Sequence, residues 1–148
     1  MSITFEYSFN APLELPELAA AVNRALGSSF VKADAVYACD FLGMPTLLER
    51  HDYQNDRNLN FTDYRYQLSN KSWAESPLRG IQLEALVLIA FVLHETLAIS
   101  DAMLSYEMQR VLARYGVAGD EWCDTTTGKA VEPAEHIADL LQRLDALV

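Results

Sequence analysis

Apolar residues recur along this chain with two different spacings, and each spacing predicts a different element. Ile3, Phe5, Tyr7 and Phe9 alternate with Ser2, Thr4, Glu6 and Ser8. A period of two is the mark of a half-buried strand, which Asn10 to Pro12 ends. Leu15, Leu18, Ala19, Val22, Ala25 and Leu26 then fall on one helical stripe. Pro16 suits a first turn and Gly27 a stop, so a first helix lies between them. Residues 30–42, rich in Val, Tyr, Phe and Ala, read as a second strand, broken or bulged at Gly43 and Pro45. An extended pattern resumes over 46–53. The polar run QNDRNLN at 54–60 is a hairpin loop, and 61–69 is a further strand with Tyr64, Tyr66 and Leu68 on one face. Three strands in succession predict an antiparallel meander.

After a connector over 69–80, punctuated by Pro77 and Gly80, comes the element the rest must wrap around. Residues 81–99 hold nine consecutive apolar residues, Ala85 to Leu93. A segment apolar on every side needs cover on every side, and its length favours helix over strand. Ser100 and Asp101 suit a cap for another helix over 102–115, with Leu104, Met108, Val111, Leu112 and Tyr115 along one side and Glu107 paired to Arg110. The two helices form a hairpin or one kinked helix. Residues 122–131 read as two short strands about a turn, and Pro133 opens a last helix striped by Ile137, Leu140, Leu141, Leu144 and Leu147. The expected architecture is a single α+β domain over 1–148. It has one mainly antiparallel sheet of three to five strands, helices packed on a face, and a central, very apolar helix at 81–99.

Charge adds the next constraint. The net charge is −10, with 51% hydrophobic and 22% charged residues, an ordinary globular composition. Such a surface is repelled by nucleic-acid phosphates and anionic membranes and drawn to basic surfaces. Residues 117–148 carry Asp120, Glu121, Asp124, Glu132, Glu135, Asp139 and Asp145 against Lys129 and Arg143, half of the acid excess in about a fifth of the chain. The N-terminus has no basic region followed by an apolar run, and His94 and Glu95 interrupt the 85–93 run short of a membrane span. The expected location is the cytoplasm. Cys39 and Cys123 form no CxxC pair and read as buried free thiols.

The motif inventory is thin. His51, Asp52, Asp56 and Asp63 fall close together and offer a metal or acid/base hydrolase site at the hairpin, but HExxH, HxH and DxD spacings are absent and Arg50, Arg57 and Arg65 suit ion pairing. His94-Glu95 offers a base with an orienting carboxylate, or simply the point where a helix meets water. Gly128-Lys129 fails the phosphate-loop pattern because Cys123 stands where its first glycine belongs and Ala130 follows the lysine. No cofactor or metal is expected. Tyr7, Tyr37, Tyr53, Tyr64, Tyr66, Trp73 and Trp122 are ordinary sheet packing or, alternatively, the contact of a homo-oligomeric structural subunit.

In its whole type the chain resembles the small, acidic, cytosolic immunity proteins that bacteria pair with polymorphic or contact-dependent toxins. The segments compared are FEYSFNAPLELPELAAAVNRALG, DFLGM, HDYQNDRNLNFTDYRYQLS and LSYEMQRVLARYG. The resemblance implies a non-catalytic monomer or homodimer that binds a basic toxin domain and occludes its active site. Candidate contacts are the loop residues Asp52, Asn55, Asp56 and Asn58 and the acidic tail residues Asp120, Glu121, Asp124, Glu135 and Asp139.

Overall fold

In the computed structural model, which describes residues 2–73 and 78–147, the sheet is far larger than the pattern suggests. Among the described residues nine strands, not three to five, form one sheet in which every pairing is antiparallel. In chain order the elements are β1 (Ser2–Phe9), α1 (Leu15–Leu26), β2 (Val31–Ala33), β3 (Val36–Phe41), β4 (Met44–Arg50), a single 3₁₀ turn at Phe61–Asp63, and β5 (Tyr66–Trp73). Then follow α2 (Leu78–Leu97), β6 (Ala102–Tyr106), β7 (Arg110–Ala118), β8 (Glu121–Asp124), β9 (Lys129–Ala130) and α3 (Pro133–Leu147). The spatial order β2-β3-β4-β5-β1-β6-β7-β8-β9 puts the first strand at the centre.

The extra strands come from two places. The run at 30–42 is two strands, because Asp34 adopts a left-handed φ of 56° and turns the chain between the paired Ala33 and Val36. The expected helix at 102–115 is the β6–β7 hairpin. Glu107 and Met108 both sit at φ 55°, and Gln109 N donates to the Tyr106 carbonyl at 3.0 Å across them. Two successive left-handed residues are the turn that matches strand twist, built here without glycine. With no helix there, the expected helical hairpin is also replaced: α2 is one 20-residue helix.

Other elements match their pattern. α1 ends at Gly27, whose φ of 63° is the left-handed stop that glycine adopts freely. The expected β8–β9 turn and the helix from Pro133 are present. Of the 69–80 connector, residues up to Trp73 extend β5, and Pro77 lies outside the described residues.

The three helices lie on one face of the sheet, α2 in the middle touching both α1 and α3. Across that face Leu48, Leu68, Tyr7, Leu104 and Ala113 sit side by side in five strands, and they share one core with Leu18, Leu83, Leu86, Leu140 and Leu144. α2 buries its inner side against the sheet and its flanks against α1 and α3, but the expected cover on every side is not complete: Ile81 is 42% and Leu88 48% exposed on its outer side. Its Gly80–Leu97 stretch also has the length and apolar composition of a membrane span.

The opposite face follows from the strand alternation. Glu49, Gln67, Ser8, Met103 and Arg114 form one row there, and Val31, Ala38, Leu47, Ser69, Glu6 and Ser105 form the next. On β1 and β5 this face is polar in sequence, as a solvent face should be. Yet Glu6, Ser8, Gln67, Met103 and Ser105 are buried.

Candidate functional site

What buries them is the segment between β4 and β5. It does not turn back as a tight hairpin. It folds across the second face of the sheet, setting Leu59, Phe61 and Tyr64 on Met103, with Met108 and Val111 packed alongside. Polar contacts fix its path. The Arg114 guanidinium donates to Asn60 Oδ1 at 2.5 Å and to the Asn58 carbonyl. Asn10 donates to the Asp63 carbonyl and accepts from Arg65 N, both at 2.8 Å. Asp56 and Leu59 exchange backbone hydrogen bonds around a tight turn, and Asn55 Oδ1 accepts from both the amide and the hydroxyl of Thr62 at 2.9 Å. The outward side of this anchored loop presents Asp52, Asn55, Asp56 and Asn58, all exposed.

The residues considered for acid/base chemistry partly converge. His51, Asp52 and Asp63 line one cleft of about 350 Å³ with Arg50 and Arg65, while Asp56 stays outside in its turn. His51 stacks on Tyr53 and meets the edge of Phe61. Its Nδ1 accepts from Tyr53 N at 3.2 Å, and burial lowers its pKa against the raising effect of Glu49 and Asp52, which favours the neutral imidazole. Asp63 is engaged by Asn60 at 2.7 Å, and Arg65 by Glu14 at 2.7 Å. Among the described residues no three His, Cys, Asp or Glu side chains are grouped to hold a metal ion.

The acidic tail is split by the fold. Asp120 and Glu121 stand exposed at the tip of the β7–β8 hairpin. Asp124 is withdrawn from the surface, its side chain 3% exposed and ion-paired to Arg143 of α3 at 2.6 Å. Burial alone would raise its pKa, but hydrogen bonds from Thr126 and Arg143 outweigh that and hold it below the usual range. Glu135 is exposed and Asp139 half-buried, and both flank Asp124 and His136 around a small hollow of about 50 Å³. His136 Nε2 meets the Tyr115 hydroxyl at 2.7 Å, and burial lowers its pKa. The structure thus separates these candidates into acid on the loop, acid at the hairpin tip, Glu135 and Asp139 on α3, and the internal Asp124–Arg143 pair.

The remaining candidates have structural partners. His94 stacks on Trp122, with centroids 4.6 Å apart, and its Nδ1 reaches the Ile99 carbonyl at the end of α2. Cys123 is buried as expected, but Cys39 is only half-buried, and burial and the Asp40 charge push its thiol pKa up. Tyr7, Tyr64, Tyr66 and Trp122 are core residues, Tyr37 is half-buried, Tyr53 is 38% exposed, and the Trp73 side chain lies outside the described residues.

Glu6, like Asp124, is a residue that sequence reasoning places wrongly. It occupies a solvent-side position of β1 and is 1% exposed. Its Oε1 accepts from Met108 N at 2.7 Å and Ser105 Oγ at 2.9 Å. Burial pushes its pKa up to about 8 against the lowering effect of those bonds. No signal in the alternation of 2–9 could reveal a cover supplied by residues 59–64 and 108.

No protein-family model, no curated protein and no solved structure matches the chain.

Proposed function

We propose that this chain is a non-catalytic cytoplasmic binding protein of the immunity type, which neutralises a basic toxin domain by covering its active site. The observation that carries this reading is an exposed acid-and-amide loop held in place from beneath. Asp52 and Asp56 with Asn55 and Asn58 face outward, while Leu59, Phe61 and Tyr64 fix the loop to the sheet. A loop ordered before binding loses little freedom on binding. The −10 net charge steers a cationic partner toward it and discriminates against anionic ones. The test is to mix the protein with a catalytically inactivated basic toxin domain encoded beside its gene, and to follow complex formation as a function of salt. A complex that weakens with added salt, and weakens further on Asp52→Asn with Asp56→Asn, supports the reading. Absence of a complex at low salt overturns it.

A second reading has one observation in its favour: His51, Asp52 and Asp63 share a cleft with Arg50 and Arg65. A neutral imidazole beside carboxylates suits general-base hydrolysis. Hydrolysis of ester or phosphoester substrates that His51→Ala abolishes would establish it. Unchanged turnover in that variant would remove it.

A further inference from the structure

The cover on the second face of the sheet stops halfway. On β1 and β6 every residue of that face from Glu6 to Ser105 is buried beneath the loop and the Met108 turn, whereas on β2, β3 and β4 the same rows are open. Val31 is 63% exposed and Leu47 39%, with Val36, Ala38 and Pro45 between and beside them. This is a contiguous apolar sheet surface, and among the described residues no helix or loop lies upon it. Around it stand Asp34 at the β2–β3 turn, Asp40, Glu49 and Asp52, against Lys71 on the same face and the exposed Arg57 of the loop. Tyr53, exposed at the loop's inner edge, donates to Glu49 Oε1 at 2.8 Å and so stands at the border of the apolar patch.

An apolar centre inside a charged rim, with a tyrosine at the margin, is the composition of a protein-binding surface. We infer that this open half of the sheet, over β2–β4, is the face on which the basic protein partner docks, the loop forming one wall; the inference rests on the reading under Proposed function. Charge selects the occupant. A second copy of this chain would bring the same four acids against themselves, which opposes self-association. A partner with lysines or arginines around an apolar patch meets complementary charge at the rim. Size requires the loop as well. Three strands about 4.8 Å apart, of three, six and seven residues at ~3.4 Å each, offer roughly 260 Å². A stable interface needs about 800 Å² from each partner, so the remainder comes from the loop wall carrying Asp52, Asn55 and Asp56.

The experiment uses the full chain and the inactivated basic toxin domain encoded beside it. Leu47→Lys places a cation at the centre of the face on an exposed side chain, and Val31→Lys asks the same question on the edge strand should the first fail to fold. Asp120→Lys with Glu121→Lys, on the distant hairpin tip, is the comparison. Expected is at least a tenfold loss of affinity for the face variants, a change within about threefold for the tip variant, and unfolding midpoints near that of the parent. If the parent forms a complex and the face variants bind as tightly, the face assignment fails while the function reading stands. If the parent forms no complex at low salt, both fall. If light scattering shows a dimer of the parent that Leu47→Lys dissociates, the face belongs to a second copy and the assignment is overturned.

Discussion

The Met108 amide donates to Glu6 Oε1 at 2.7 Å, while Oε2 of the same carboxyl has no hydrogen-bond partner among the described residues. One oxygen closes the β6–β7 turn over the sheet and the other is desolvated without compensation. An unpartnered buried oxygen favours the neutral acid, which agrees with a pKa pushed up to about 8 from the ordinary 4.5. The neighbouring Glu107 charge acts in the same direction.

This arrangement makes stability depend on pH in the unusual direction for a carboxyl. Between about pH 4.5 and 8 the folded protein keeps a proton that the unfolded chain has released. Glu6 therefore contributes stability that is complete below the unfolded value and is lost as pH rises through about 8. At about 1.4 kcal/mol per pH unit, the loss amounts to roughly 3–5 kcal/mol. Glu6→Gln cannot ionise and keeps an acceptor for Met108 N. Chemical denaturation of the parent and of Glu6→Gln at pH 5, 7 and 8.5 should give curves that converge at pH 5 and separate as pH rises, the variant being the more stable at 8.5. Parallel curves would remove the neutral-acid assignment.

The same residue shows where the sequence is legible and where it is not. α1 and α3 are readable because their stripes, Pro16, Gly27 and Pro133 are all local signals. β1 is readable because one of its faces is uniformly apolar. The β6–β7 hairpin is not. Both faces of β6 are buried, Leu104 under the helices and Met103 under the loop, so the alternation that marks a strand is erased. What remains, Leu104 and Met108 with Val111, Leu112 and Tyr115, fits a helical period as well, and the turn between has no glycine, asparagine or aspartate to announce it. The candidate loop is visible from its polarity. Its anchor Arg114 is not, being 54 residues from Asn60. Asp124 reads as one more surface acid until the fold sets Arg143 against it.

That ion pair joins α3 to β8, and Arg143 also donates to the Leu112 carbonyl at 2.7 Å. Truncating one member of a pair whose carboxylate is buried leaves an uncompensated charge. Arg143→Met should cost about 2–4 kcal/mol at pH 7, toward the lower end because the Arg143 side chain is still 26% exposed. Adding Asp124→Asn should recover part of the loss, which a double-mutant cycle in urea would measure. The folded pKa of Asp124 is depressed, so its contribution is present above the unfolded value and is lost as pH falls through the folded one. The cost of Arg143→Met should therefore shrink on acidification.

α2 gives the sharpest contrast between two leucines a half-turn apart. Leu86 is fully buried between the sheet and the flanking helices, and Leu88 is 48% exposed on the outer side. Leu86→Ala should destabilise by about 3 kcal/mol through lost burial and the cavity left behind, and Leu88→Ala by no more than about 0.5 kcal/mol. Equal losses in urea denaturation would mean that the outer side of α2 is covered, contrary to the layer arrangement.

Arg114 separates the order of the loop from the stability of the sheet. Its guanidinium holds Asn60 and the Asn58 carbonyl from β7, while Leu59 and Phe61 hold the same segment by burial. The two kinds of anchor differ in magnitude. Removing charged hydrogen bonds at a half-exposed site should cost about 1–2 kcal/mol, whereas Phe61→Ala should cost about 3–4 kcal/mol. Arg114→Ala should thus leave the nine-stranded sheet intact and loosen only its cover. Hydrogen exchange should quicken at Leu59 and Asp63, whose amides close turns in the loop, and stay slow in β1 and β5. Toward a basic partner the charge display is if anything more acidic, so association should not slow. Ordering the loosened loop then falls to the binding step, and the complex should dissociate faster. A variant with unchanged loop exchange would show that Leu59 and Phe61 fix the loop alone, and that Arg114 merely neutralises charge beneath it.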